Sequence, residues 1–251
     1  MRLTTVEKIG FFHCVEFTKG IKPTERLQSE MERWIQKDEK GPTPISIRGS
    51  LIVLPEAFNI DRYERQSTHL QDARECLEDL QGLAREHQVV FVAGILDRRI
   101  NSAYMVDADV SQLMCHKVAD DLVGLYDPCT GEPDACNPIV FQNACVGALI
   151  CLDAIADATG QPAVGTRLKV FTEVLKARPG RKIVCVPARF ADYRAGFDLL
   201  SQIPECWHVL AEGRDVHMGS FINDSKTVTR VADAQKNAVE IRTMPSALKR
   251  A

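Results

Sequence analysis

Gly147-Ala148-Leu149-Ile150-Cys151-Leu152-Asp153 is an apolar run that closes on a thiol and a carboxylate. A short uninterrupted apolar run reads as a buried strand of a layered fold. The strand is expected over 145–152, with Cys151 at its end. Two other runs finish in the same way. Leu51-Ile52-Val53-Leu54-Pro55 is followed by Glu56, and Gln112-Leu113-Met114-Cys115-His116 by Lys117. Strand ends in α/β folds face the crevice where ligands bind. A charged side chain just past a buried strand is costly unless it is paired or hydrated. Glu56, Lys117 and Cys151 are therefore the candidate site residues.

Working outward, strands alternate with helices. A strand is expected over 8–15 and a helix over 24–38, with Thr24 as N-cap and Leu27, Met31, Trp34 and Ile35 on one face. A strand over 50–54 precedes a long helical pattern over 63–87. Strands are expected at 88–95, 103–107 and 112–116. A loop rich in Pro, Gly and Asp (126–138) and a short strand at 139–142 lead to the run quoted above. A helix over 164–177 is ended by Pro179-Gly180. Then come a strand at 182–187, a helix at 203–213, a strand at 216–222 and a closing β-pair, 228–231 with 239–242. Such alternation indicates an α/β fold. The many short strands suggest two sheets, and the lack of a linker suggests one domain over residues 1–251.

The composition is that of an ordinary globular protein: 251 residues, 45% hydrophobic, 26% charged. A net charge of −3 gives no basic surplus for nucleic acid and no polybasic block for a membrane surface. No apolar run approaches the ~18 residues of a membrane span, and residues 1–12 lack a signal-peptide layout. A cytoplasmic location is expected. The nine cysteines are odd in number, and several lie in apolar runs, where a thiol behaves as a small hydrophobe. A disulfide framework is not expected. Without Cys-x-x-Cys or His-x-x-x-His, no structural zinc is expected, and no cofactor is called for.

Three motifs in order resemble the pattern of the nitrilase superfamily of carbon–nitrogen hydrolases. They are Leu54-Pro55-Glu56-Ala57-Phe58, then Asn101-Ser102-Ala103-Tyr104 leading to His116-Lys117, then Gly147 to Asp153. Val186-Pro187-Ala188 resembles the next core strand. The resemblance implies an αββα sandwich of two mixed β-sheets flanked by helices. It also implies a triad in which Cys151 is the nucleophile, Glu56 the general base and Lys117 the stabiliser of the tetrahedral intermediate. The substrate would be a small amide, carbamoyl compound or nitrile, and the protein a homodimer or higher homo-oligomer. Taken singly, Glu56 reads as a solvated loop acid, Lys117 as a surface lysine and Cys151 as an inert buried thiol. Their joint order is what favours the catalytic reading.

The chain departs from that pattern in places. Many members carry a second Glu after the catalytic Lys. Here the stretch 118–126 offers only Asp120 and Asp121, with Glu132 further on, and turn residues are the simpler reading of the two aspartates. The Arg that often follows Cys-x-Asp is replaced by Ala154-Ile155-Ala156-Asp157. Trp207 reads as core and His208 as a helix-surface residue. Acyl transfer on the same scaffold, a non-catalytic binding or assembly protein, and a thiol redox protein are the competing functions.

Overall fold

The computed structural model describes residues 3–14, 20–40, 45–60, 71–119, 137–154, 162–189, 206–213, 220–224, 228–230 and 236–245. Two six-stranded mixed sheets stack face to face. The first runs in the order β12 (Ala238–Thr243), β1 (Lys8–His13), β2 (Ser50–Val53), β3 (Val90–Asp97), β4 (Ile100–Val106), β5 (Ser111–His116). The second runs β11 (Val228–Arg230), β10 (Phe221–Asn223), β9 (Trp207–Glu212), β8 (Arg181–Ala188), β7 (Ala144–Ala148), β6 (Ile139–Val140). The inner strands of each sheet are parallel: β1 with β2 and β2 with β3, then β7 with β8 and β8 with β9. Their carboxyl ends consequently point the same way and gather Glu56, Cys151, Ala188 and Glu212 at one end of the sandwich.

Helices α1 (Pro23–Glu39) and α2 (Ala73–His87) cover the first sheet. Their apolar faces, Leu27 and Met31 with Cys76, Leu80, Leu83 and Ala84, join Phe12, Ile52, Phe91 and Val239 in one core cluster. Helix α3 (Pro162–Ala177) covers the second sheet through Leu168, Phe171 and Leu175. The larger cluster between the sheets includes Ile9, Phe11, Val53 and Val92 from one side and Val184, Val186, Val209 and Phe221 from the other. The αββα sandwich expected from the sequence is therefore present.

Several local expectations change. Thr24 does not cap α1. Pro23 opens that helix, and Thr24 lies in the first turn with its hydroxyl 3.2 Å from both Gln71 Oε1 and Asp79 Oδ2. Helix α2 begins at Ala73, because Asp72 Oδ1 accepts the N–H groups of Arg74 (2.9 Å) and Glu75 (3.4 Å); residues 61–70 lie outside those described. Strand β7 stops at Ala148, so Cys151 is not on a strand: it opens a 3₁₀ turn, Cys151–Ala154. The stretch expected as a helix at 203–213 contains β9 instead. All six of its residues are buried, and a strand buried on both faces shows no alternation to separate it from a helix. His208 is therefore a buried strand residue, while Trp207 is core as expected, with Arg181 and Arg242 stacked at 5.8 and 5.4 Å from its ring centroid. The expected closing β-pair does not form. β11 pairs with β10 and β12 with β1, in different sheets.

Two glycines separate close packing from open space. A Cβ on Gly147 would meet the Phe171 ring at 2.6 Å, whereas a Cβ on Gly82, inside α2, would meet nothing within 4 Å. Gly147→Ala should destabilise the protein by about 1–3 kcal/mol through overpacking. Gly82→Ala should stabilise it by up to about 1 kcal/mol through helix propensity. Urea denaturation of the two variants checks both signs.

Candidate active site

Glu56 sits just past β2 in a turn clasped by β3. Leu54 N–H donates to Val92 O at 2.8 Å and Phe58 N–H to Gly94 O at 2.7 Å. Ala57 takes φ +48°, a left-handed conformation costly for a residue with a Cβ. Gly94 is what lets the turn come so close: a Cβ there would lie 2.8 Å from Glu56 Cα and 3.1 Å from Pro187 Cβ of the other sheet. Lys117 follows β5 and is anchored by its backbone N–H to Asn101 O at 2.8 Å. The two side chains, both fully or almost fully buried, form an ion pair through Lys117 Nζ and Glu56 Oε1. Asn101 Nδ2 donates to the same Oε1 at 2.8 Å. Glu56 Oε2 is buried and has no hydrogen-bond partner among the described residues.

Cys151 enters from the second sheet. Leu149 N–H still bonds Cys185 O at 3.1 Å, and the chain then leaves the ladder and turns at Cys151 with φ +48°. A non-glycine residue held in this region signals a local constraint. Asp153, two residues on, is buried and accepts the N–H of Val118 at 3.1 Å and that of Ala119 at 2.6 Å. It thereby ties the Cys151 turn to the segment just after Lys117. Burial pushes the Asp153 carboxyl up to about 6, against the lowering effect of Lys117 and of those backbone donors. Burial likewise holds the Cys151 thiol well above the ordinary range, and the Glu56 carboxylate adds to it. Lys117 and a backbone N–H donated by Arg189 act the other way, and Glu212 raises it further.

Of the three candidates from the sequence, Glu56 and Lys117 are in direct contact, and Cys151 lies within the electrostatic reach of both. Four neighbours were not singled out as site residues. Asn101 and Asp153 stood inside the quoted motifs, but their role shows only in hydrogen bonds across the fold. Arg189 and Glu212 carry no local signal beyond a charge at the end of an apolar run. Asp120, Asp121 and Glu132 lie outside the described residues. The seven described cysteines are all buried, and none of them is in a disulfide.

The setting therefore disfavours the Cys151 thiolate. The rate of Cys151 alkylation should accordingly inflect above the value of about 8.5 usual for a free thiol. Glu56→Gln, which removes a negative neighbour, should move the inflection down, and Lys117→Met should move it up. Alkylation rates against pH, read on the Cys151 peptide by mass spectrometry, check this. An inflection below 7 in the unmodified protein would contradict it.

No family model matches the sequence, and neither does any curated protein. The fold does match solved structures. The amidase from Nesterenkonia sp. is 16% identical, over 98% of this chain and 92% of that one, with a TM-score of 0.63. A cysteine-to-serine mutant of the Nesterenkonia AN1 amidase from the nitrilase superfamily is 15% identical over 97% and 93%, with a TM-score of 0.65. A variant of that amidase with acrylamide added at its active-site cysteine is 15% identical over 95% and 93%, with a TM-score of 0.62. At these identities the likeness is one of fold: over nearly its whole length the chain shares the fold of these solved amidases.

Proposed function

We propose that the protein is a carbon–nitrogen hydrolase that cleaves a non-peptide C–N bond of a small amide, carbamoyl compound or nitrile through a thioester on Cys151. One observation carries the reading. A buried Glu56–Lys117 ion pair from one sheet stands beside a cysteine presented on a left-handed turn by the other. An assembly protein without turnover would in general gain stability by replacing such a buried pair with apolar residues. A thiol redox role would call for a second cysteine to resolve the first, and the spacing of the nine offers no Cys-x-x-Cys.

The chemistry follows from the hydrogen bonds. Glu56 Oε1 is engaged by Lys117 and Asn101, which leaves Oε2 to accept the Cys151 proton. The sulfur adds to the carbonyl carbon, and the carbonyl electron pair moves onto oxygen. Lys117 and the backbone N–H after the nucleophile stabilise that anion, an effect often worth about 3–4 kcal/mol per donor. The C–N bond then breaks, Glu56 returns its proton to the nitrogen, and ammonia or an amine leaves. Water, deprotonated by Glu56, hydrolyses the thioester and restores the thiol.

A panel of amides, carbamoyl compounds and nitriles assayed for ammonia release tests the reading. Cys151→Ala should abolish turnover with the fold intact by circular dichroism. Glu56→Gln and Lys117→Met should each lose at least about 1000-fold, and the triple variant should be little worse than the worst single one. A folded Cys151→Ala variant with near wild-type turnover would refute the nucleophile and direct attention to another thiol such as Cys145.

The reading includes a homo-oligomer, at least a dimer. On α3, Val170 and Val174 remain half-buried beside the fully buried face of Val164, Phe171 and Leu175, and so offer apolar surface to a second copy. Light scattering at micromolar concentration should give at least twice the chain mass; the single-chain mass would contradict it.

A further inference from the structure

The turn that carries Glu56 leaves the ladder of the first sheet and is still held to it. β2 pairs with β3 from Leu51↔Val90 to Val53↔Val92. Beyond Val53 the chain follows the same edge of β3 without being a strand. Leu54 N–H donates to Val92 O at 2.8 Å and Phe58 N–H to Gly94 O at 2.7 Å. Further along β3, at Leu96, the partner is a side chain. Asn59 Oδ1 accepts the Leu96 N–H at 2.9 Å, and Asn59 Nδ2 donates to Leu96 O at 2.8 Å. The amide of Asn59 thus engages both backbone groups of one β3 residue, the groups that a neighbouring strand would otherwise take.

Asn59 is fully buried. Its remaining bonds go to Gln71. Nδ2 lies 3.4 Å from Gln71 O, and the Asn59 carbonyl accepts the Gln71 N–H at 3.2 Å. Gln71 is buried as well and carries the network to both helices that cover this sheet. Its Oε1 accepts the Thr24 hydroxyl of α1 at 3.2 Å, and its Nε2 donates to Asp79 Oδ2 of α2 at 2.6 Å. Asn59 therefore joins the Glu56 turn to β3 on one side and to the helical layer on the other. Between the Leu54 and Phe58 clasps lies Ala57 at φ +48°, with its carbonyl accepting the Ile60 N–H at 3.2 Å. A left-handed residue with a Cβ persists only where its surroundings over-determine it.

We propose that Asn59 is a positioning residue for Glu56: it fixes the far end of the turn and so holds the carboxylate against Lys117 and Asn101. The inference deepens the hydrolase reading and rests on Glu56 being the base. Rate depends steeply on the placement of a catalytic group, and a displacement of about 1 Å can cost roughly 100-fold. A role confined to stability would move the folding equilibrium and leave turnover by folded molecules unchanged.

The test compares variants on an amide from which the protein releases ammonia. Asn59→Ala, folded by circular dichroism, should lower kcat about 10- to 100-fold with KM changed by less than about threefold. Leu27→Ala, at a core position of α1 that none of these hydrogen bonds involves, is the control for lost stability; it should lower the urea midpoint and leave kcat within about twofold. In the Glu56→Gln background, the further loss from Asn59→Ala should shrink to less than about twofold, because the two residues act as a unit. Should the residual Glu56→Gln rate be too slow to read, the kcat-against-KM split and the Leu27→Ala control decide. Asn59→Ser, whose short hydroxyl cannot serve both Leu96 groups, replaces Asn59→Ala if that variant fails to fold. A folded Asn59 variant with wild-type kcat overturns the proposal, as does a loss that persists in full in the Glu56→Gln background. If Glu56→Gln itself keeps wild-type turnover, the assignment of the base falls and this proposal with it; turnover lost in Glu56→Gln but kept in Asn59→Ala removes this proposal alone.

Discussion

The ion pair between Glu56 and Lys117 is the constraint on which the rest of this molecule turns. Each charge has left water, and in an apolar interior that costs several kcal/mol per ion before pairing returns most of it. The return depends on geometry, so the surrounding fold must hold both partners still. β2 and β3 hold the acid, and β4 and β5 hold the base. Asn101 serves both, since its carbonyl takes the Lys117 N–H and its amide the Glu56 oxygen. Losing Lys117 would leave the buried Glu56 without its ion-pair partner.

The second sheet answers to the first through contacts that exclude side chains. Gly94 lets the Glu56 turn and Pro187 of the other sheet close in on it, and Gly213 does the same for Pro55 and Arg189. Asp153 completes the arrangement by accepting two N–H groups from the segment that follows Lys117, which ties the Cys151 turn to that segment. A thiol placed in this setting is disfavoured as an anion by burial and by its carboxylate neighbours. In the proposed reaction its proton goes to the unengaged oxygen of Glu56.

Much of this was legible in the residues. Apolar runs closing on Glu56, Lys117 and Cys151 located the ends of the sandwich because a buried strand must stop where a charge begins. The two-sheet architecture followed from the number of short runs. What escaped has physical causes. Strand β9 has no alternation, since both its faces are covered, and its Trp-His-Val-Leu-Ala-Glu composition fits a buried helix as well. β11 and β12 lie close in sequence but serve different sheets, a matter of long-range pairing that no local pattern encodes. The end of β7 at Ala148 was misplaced by four residues because Leu149, Ile150 and Cys151 stay buried beyond it. Glu212 was invisible for the opposite reason: a lone acid after an apolar run looks like a surface residue until the strand beside it is known.

The most direct test of the account is to catch the acyl group on its residue. The protein is mixed with a small neutral amide from which it releases ammonia, quenched in acid within the first turnover, and digested for mass spectrometry. The account predicts a substrate acyl group on the Cys151 peptide, joined as a thioester that hydroxylamine removes. Ammonia release with no acyl group on Cys151, or with the acyl group on another residue, would contradict it.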